Sequence, residues 1–297
     1  MKIKQIWEEL ENDKSFRKGL LMRRYSSEVL PDIYIALQQP EKLVCVLASI
    51  SSSLEIDLAS FSNLQEIKVD VSPDLNRTDK NLLIFKLINN QHKDIFATLC
   101  EDLITSVANE TNEKQLVRTL LNRFEKWKSL FDRISMQGLS AEEQRGLYGE
   151  LFFLRKNLEY TDNYQNILNF WVGTTKDIRD FQFSNWALEV KTTIGNNHQK
   201  VLISSERQLD ITHVENLFLY HISLQKVQGN GESLPQIINS IRLILNLDTF
   251  SLNLFKVKLY ESGYFDHHEN LYEPVGYHIR NDIFYKIGHK FPRIQEN

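Results

Sequence analysis

The sequence predicts a mixed α/β protein of the α+β kind, organised as two domains, and three observations carry that expectation. Short runs rich in β-branched and aromatic residues fill much of the chain before Asn89 and return after Arg179. Between and after them, leucine and phenylalanine recur at spacings of three and four, the period of a helix with one buried face. A chain of 297 residues, 42% hydrophobic, is long enough for two domains and a packed core. The expected N-terminal α/β domain covers residues 1–135. The second covers 136–297, with its core at 140–225 and a C-terminal extension.

In the first domain, Ile33 to Leu37 and Leu43 to Ser49 read as a hairpin around Gln39-Pro40, followed by strands near Glu66 to Val71 and Leu82 to Ile88. Phe96, Leu99, Cys100, Leu103, Ile104 and Val107 then form a helical stripe. A further helix is expected over 114–133, with Leu116, Leu120, Phe124, Trp127 and Phe131 on its buried face. The same segment carries Lys114, Arg118, Arg123, Lys126, Lys128 and Arg133 against only Glu125 and Asp132. These cations are either the solvated side of that helix or a strip that follows phosphates. No motif assigns this domain a chemistry, so recognising DNA, docking a partner protein and completing the fold all stay open.

The second domain opens on Ser140-Ala-Glu-Glu143, a capping box in which serine and glutamate side chains satisfy the free backbone donors of a helix start. The helix runs from about 141 to 159, with Leu147, Leu151, Leu154 and Leu158 on its buried stripe. Gly146 and Gly149 each cost about 1 kcal/mol against alanine inside a helix, so close backbone approach to a sheet is the expected reason for them. Glu150 lies beside that stripe. It is either a boundary glutamate reaching solvent or a carboxylate satisfied by a metal, a water or a lysine.

Next comes Asp180-Phe-Gln-Phe-Ser-Asn-Trp-Ala-Leu-Glu189-Val-Lys191-Thr-Thr193. Aromatic and β-branched residues flank the turn formers Ser184-Asn185, which makes the segment a tight hairpin. Such a turn pairs Phe183 with Trp186 and, stepping outward, Asp180 with Glu189. Side chains opposite one another in a hairpin have Cβ atoms roughly 5 Å apart, so the two carboxylates can share one cation. Alternation along the strand puts Glu189 and Lys191 on one face and Leu188 and Val190 on the other. Asp177 is a rival aspartate, but it falls before the strand and outside the pairing.

Two carboxylates this close repel each other unless a cation keeps both ionised. Oxygen ligands with room for water suit Mg²⁺ or Mn²⁺ rather than Zn²⁺. Lys191 adds a compact positive charge that can hold an attacking hydroxide or offset charge building on a phosphate. The competing reading is a surface hairpin in which Lys191 merely pairs with Glu189 or Asp180.

Past the hairpin, Val201 to Ser205 reads as a short strand, and Ser205-Glu-Arg-Gln208 as another capping box. Gln208 is then either the reciprocal cap or a group that bonds a metal-bound water or a phosphate. Asn216 to Leu224 is expected to extend the sheet, followed by a loop over Gln228 to Glu232 and an amphipathic helix over Leu234 to Leu247. Strands are expected at Leu254 to Tyr260 and Val275 to Ile279. Asp266-His-His-Glu269 between them reads as a polar loop, since adjacent residues rarely converge on one ion.

Taken in order, the Glu150 helix, the Asp180 and Glu189-Val-Lys191 hairpin and the Gln208 turn resemble the PD-(D/E)XK nuclease superfamily. Gly-Leu-Tyr-Gly-Glu150-Leu-Phe-Phe-Leu, Phe170-Trp-Val-Gly173, Asp180-Phe, Glu189-Val-Lys-Thr-Thr193 and Ile203-Ser-Ser-Glu-Arg-Gln-Leu209 are similar to PD-(D/E)XK-motif proteins encoded beside bacterial restriction and phage-defence genes. The resemblance covers about residues 140–210. It implies a restriction-endonuclease-like αβββαβ core and Mg²⁺-dependent hydrolysis of DNA phosphodiester bonds. Asp180, Glu189 and Lys191 take the catalytic positions and Glu150 the helix-borne acidic one, with Asp180, Glu189 and Glu150 as metal ligands. Arg179 stands where the superfamily name has proline, a position that many members vary.

The rest of the composition sets limits. Cys45 and Cys100 are too few and too isolated for a zinc site. The longest apolar run, Leu43 to Ile50, is too short to span a bilayer, and Trp7-Glu-Glu stands where a signal peptide would have its apolar core. The bacterial cytoplasm is therefore the expected location. A net charge of −4 argues against an indiscriminate DNA-coating protein but not against a nuclease with a local basic strip. Without a P-loop, a dinucleotide fingerprint or a G-x-S-x-G elbow, ATP hydrolysis or methylation would fall to partner proteins, an ATPase or a methyltransferase. Double-strand cutting commonly needs two active sites, which a homodimer would supply. Two other functions stay open: a DNA-binding or assembly subunit with little activity of its own, and a nuclease of RNA or branched DNA, since fold does not fix substrate.

Overall fold

A computed structural model describes residues 2–61, 64, 66–131, 138–175, 178–195, 200–203, 205–210, 214–288 and 291. The chain divides into two compact units, Met1–Ser135 and Met136–Asn297, and the fold is mixed α+β.

In the first unit, helix α1 (Lys2–Asn12) precedes strands β1 (Gly19–Arg24), β2 (Ile33–Gln39), β3 (Leu43–Ser51), β4 (Ile67–Pro73) and β5 (Lys80–Leu87). Helices α2 (Lys93–Val107) and α3 (Glu113–Phe131) follow. The strands form an antiparallel sheet in the order β1-β2-β3-β5-β4. Neither α1 nor β1 was among the expected elements. Helix α1 buries Ile3, Ile6, Trp7 and Leu10, and Trp7 stacks on Phe96 of α2. Both cysteines are free and buried.

Helix α3 buries Leu116, Leu120, Phe124, Trp127 and Phe131, as its spacing predicts. Part of its basic face has structural work. Arg123 donates to both oxygens of Asp102 at 2.6 and 2.7 Å, and the Trp127 indole donates to the same carboxylate at 2.8 Å. Lys128 donates to the Ser60 carbonyl at 2.9 Å. Arg133 and Asp132 lie outside the described residues.

The second unit begins with α4 (Ala141–Leu158), closed by the Ser140–Glu143 capping box. Next come α5 (Tyr164–Phe170), a 3-10 turn (Gly173–Thr175), β6 (Phe181–Gln182), β7 (Trp186–Ile194) and a second 3-10 turn (Glu206–Leu209). Strands β8 (Asn216–Gln228) and β9 (Glu232–Ser233), helices α6 (Leu234–Ile244), α7 (Thr249–Glu261) and α8 (Glu269–Tyr272), and β10 (Val275–Ile287) complete it. The sheet runs β6-β7-β8-β10-β9. β7 and β8 are parallel and the other pairs antiparallel. Leu188 and Val190 share a core with Leu151 and Leu154 of α4 and Tyr220 and Ile222 of β8. On the opposite face, Ala187 clusters with Leu209, Leu217, Leu219 and Ile287.

Three sequence expectations need correction. No strand forms among the described residues of 201–205. Leu254 to Tyr260 lies inside α7, whose buried Ser251, Phe255, Val257, Lys258, Leu259 and Tyr260 spread around the helix and hide its period. The Asp248 side chain caps that helix by accepting from the Ser251 N–H at 3.0 Å, the local signal that outweighs the β-branched look of the segment. Asp266–His268 is a 3-10 turn leading into α8 rather than a loop between strands, and Asp266 pairs with Arg242 at 2.6 Å. Among the described residues no helix is long and apolar enough to cross a membrane.

Candidate active site

The hairpin register sets the site. Phe181 pairs with Leu188 and Gln182 with Ala187, and the Phe183 N–H closes the turn on the Trp186 carbonyl at 2.8 Å. One step outward this register sets Asp180 opposite Glu189. Asp180 is held at its backbone and its side chain. Its carbonyl accepts from the Val172 and Gly173 N–H groups at 2.9 and 3.0 Å, and its Oδ2 accepts from the Val190 N–H at 2.7 Å.

Glu189 and Lys191 share the face of β7 that carries Ala187, as alternation requires. The Lys191 ammonium lies 2.8 Å from Glu189 Oε1. Glu189 is only 1% exposed, and its second oxygen, Oε2, is buried with no hydrogen-bond partner. An unpaired buried carboxylate oxygen is costly, and it marks a place where a further group belongs.

Glu150 reaches the same place from α4. Its Oε2 accepts a hydrogen bond of 2.7 Å from the indole of the fully buried Trp171. Trp171 forms an isolated bridge with Phe181, and its carbonyl accepts from the buried ammonium of Lys258 at 2.5 Å. The glycines explain how helix, loop and strand come so close. A Cβ on Gly149 would collide with the Thr192 methyl of β7, and one on Gly173 would meet Asp180 Oδ1 at 2.9 Å and Glu150 Oε2 at 3.3 Å. Gly146 has no atom within 4 Å of a built Cβ, so the expectation of close approach holds for Gly149 and fails for Gly146.

These groups line a cleft of about 400 Å³. Among the described residues, its wall holds the carboxylates Glu142, Glu150, Asp180 and Glu189 and the cations Arg145, Lys191 and Lys200, with Gln208 alongside. Gln208 sits in the 3-10 turn, where its N–H donates to the Ser205 carbonyl at 3.1 Å. Asp177, the rival aspartate, lies outside the described residues.

Electrostatics follow from burial and crowding. Burial pushes Asp180 up to about 6, opposed by the Val190 N–H and Lys191. Burial and then the Asp180 charge push Glu189 up to about 8, against the pull of Lys191. Glu150 is held well above the usual carboxylate range, first by burial and next by Asp180, while the Trp171 indole opposes the rise. All three acids thus carry a penalty for ionising that a nearby cation would relieve.

The donor set fits a hard divalent ion. It is all oxygen, it includes the unpartnered Glu189 Oε2, and its acids are poised to gain from added positive charge. Among the described residues no three His, Cys, Asp or Glu side chains close on one point as a metal cage.

Several contributors were not singled out as site residues by sequence reasoning. Trp171 and Lys258 buttress Glu150, Arg145 stands in the cleft wall, and the buried pair of Thr193 Oγ1 and His221 Nε2, 2.8 Å apart, continues the Glu189–Lys191 face. Trp171 and Thr193 left a trace in sequence, as parts of Phe170-Trp-Val-Gly173 and Glu189-Val-Lys-Thr-Thr193.

A search of curated proteins and a search of solved structures each returned no match. A family model described as "Putative PD-(D/E)XK family member, (DUF4420)" matches residues 3–297. With nearly the whole chain matched, the protein belongs to this PD-(D/E)XK-related family.

Proposed function

We propose that the protein is a Mg²⁺-dependent endodeoxyribonuclease that hydrolyses DNA phosphodiester bonds within a restriction-type phage-defence system. The observation that carries this reading is the meeting of Glu150, Asp180, Glu189 and Lys191 in one cleft, with a buried Glu189 oxygen that has no partner. Membership of a family described by the PD-(D/E)XK motif supports it, since that superfamily is one of nucleases that typically use Mg²⁺. On this reading α4, β6, β7 and β8 are the αβββαβ core in reduced form. The Trp171–Phe181 bridge stands for its first strand pairing and the Glu206–Leu209 turn for its second helix.

Asp180 and Glu189 would hold the ion, with Glu150 as the outer acidic group. Mg²⁺ or Mn²⁺ bound there would supply Lewis acidity and a water of lowered pKa. Lys191, fixed by Glu189, points a positive charge into the cleft, where it can offset charge building on the phosphate. Arg145 and Lys200 stand in the same wall and suit the neighbouring phosphates, whereas Gln208 suits a bound water or phosphate oxygen.

The test is a cleavage panel of supercoiled, duplex, single-stranded, branched and methylated DNA plus RNA, in Mg²⁺ and in Mn²⁺. Asp180→Ala, Glu189→Ala and Lys191→Ala should each lose on the order of a hundredfold or more in rate. Cleavage retained in all three sinks the assignment. Wild-type protein that binds DNA yet nicks nothing in either metal makes it an assembly subunit, and cleavage of RNA or branched DNA alone moves the substrate.

A further inference from the structure

We infer that Lys258 is a positioning residue for the candidate centre: from α7 it fixes the carbonyl of Trp171, whose indole fixes the Glu150 carboxylate at the cleft wall. The inference rests on the proposed metal-dependent reading of that cleft and adds residues remote from it in sequence.

A buried ammonium is costly and persists only where its hydrogen bonds repay desolvation. Lys258 is 7% exposed, and its ammonium donates to the Trp171 carbonyl at 2.5 Å. Trp171 is fully buried and locked by its bridge to Phe181, so its indole has little freedom to leave Glu150 Oε2, 2.7 Å away. The residues just after Trp171 reach the other acid, because the Val172 and Gly173 N–H groups both donate to the Asp180 carbonyl. Helix α7 grips the segment a second time, where Thr174 Oγ1 donates to Glu261 Oε2 at 3.2 Å. The segment from Trp171 to Thr174 is therefore a strap that touches Glu150 and Asp180 on one side and is anchored by Lys258 and Glu261 on the other. Packing alone would not require a lysine at position 258; a strap that must hold a carboxylate in place gives the charge a reason.

The experiment follows the four tryptophan indole N–H resonances of the full chain by NMR, with Trp171→Phe identifying the Trp171 signal by its loss. Lys258→Met keeps the length of the side chain and removes the charge. In that folded variant the Trp171 resonance should move while those of Trp7, Trp127 and Trp186 stay, and Mg²⁺ affinity by calorimetry should fall about ten- to a hundredfold. An unmoved Trp171 resonance, or unchanged Mg²⁺ affinity beside a moved one, overturns the inference. Should Lys258→Met not fold, Lys258→Gln replaces the charge with a neutral donor, and an unmoved Trp171 resonance or an unchanged Mg²⁺ affinity in it also overturns the inference. Wild-type protein that binds no divalent ion removes the nuclease reading, while the resonance shift still decides the positioning role.

Discussion

Replacing Glu189 with glutamine should make the metal-free protein more stable at alkaline pH. Glu189 is buried and titrates at about 8 in the folded protein against an ordinary 4.5. Between those values the folded state holds a proton that the unfolded chain releases, so stability is full below 4.5 and is lost as pH rises toward 8. At 1.36 kcal/mol per pH unit the full interval is worth roughly 5 kcal/mol. The pull of Lys191 is already contained in that value, and leaving Lys191 without its carboxylate in Glu189→Gln is a cost that does not change over this range, so the variant should gain roughly 3–4 kcal/mol on the wild type between pH 5 and pH 8. Urea unfolding of both proteins in EDTA across that range measures it, and the difference between them cancels whatever the untouched first unit contributes. If the two stability curves run parallel, Glu189 is already ionised in the folded protein at neutral pH, and the argument from burial and Asp180 repulsion fails.

Three other outcomes follow from the same geometry. Mg²⁺ binding at pH 7 should release at least about one proton in the wild type, because Glu189 is pushed up to about 8 and Glu150 is also held well above the usual range, and about one fewer in Glu189→Gln; calorimetry in buffers of different ionisation enthalpy counts them. Gly149→Ala should destabilise by about 1–3 kcal/mol through its clash with Thr192, whereas Gly146→Ala, with open space around it, should stabilise by about 1 kcal/mol; equal effects on thermal unfolding would refute the packing account. Arg145→Ala, which removes a cleft cation whose Nε has no partner, should weaken DNA binding in EDTA and reduce the slope of log affinity against log salt by about 1, and an unchanged slope would remove Arg145 from the phosphate path.

Much of the hairpin was legible because its determinants are local. Ser184-Asn185 set the register, and alternation then fixed the faces of Leu188, Glu189, Val190 and Lys191. The Ser140–Glu143 cap and the α4 stripe were readable for the same reason. Helix α7 was misread because apolar residues surround it, so neither period dominates and only the Asp248 cap marks its start. β10 runs past the expected end at Ile279 because Arg280, Asn281 and Asp282 look like loop, yet Asn281 and Asp282 pair with Ser223 and Ile222 of β8 after a register shift between Ile279 and Asn281. The strap was invisible for a different reason: Lys258 lies 87 positions from Trp171, and Glu150 lies 21 from it, so no spacing rule joins them. Perturbed acidity is likewise a property of the folded surroundings of Asp180 and Glu189, since the same side chains in an open hairpin would titrate normally.

The grip on Asp180 gives its carboxylate a sense of direction. One oxygen is committed to the Val190 N–H, and that bond accepts no donor in its place. An asparagine at this position would have to turn its carbonyl oxygen to Val190, which leaves its NH₂ group where Oδ1 now stands, facing Gly173 and Glu150. The exchange changes one acceptor into a donor at an oxygen that the proposed reading offers to a cation, and it leaves the hairpin's own bond intact. Asp180→Asn is thus a substitution whose orientation the backbone dictates, so its effect on ion binding can be read apart from its effect on folding.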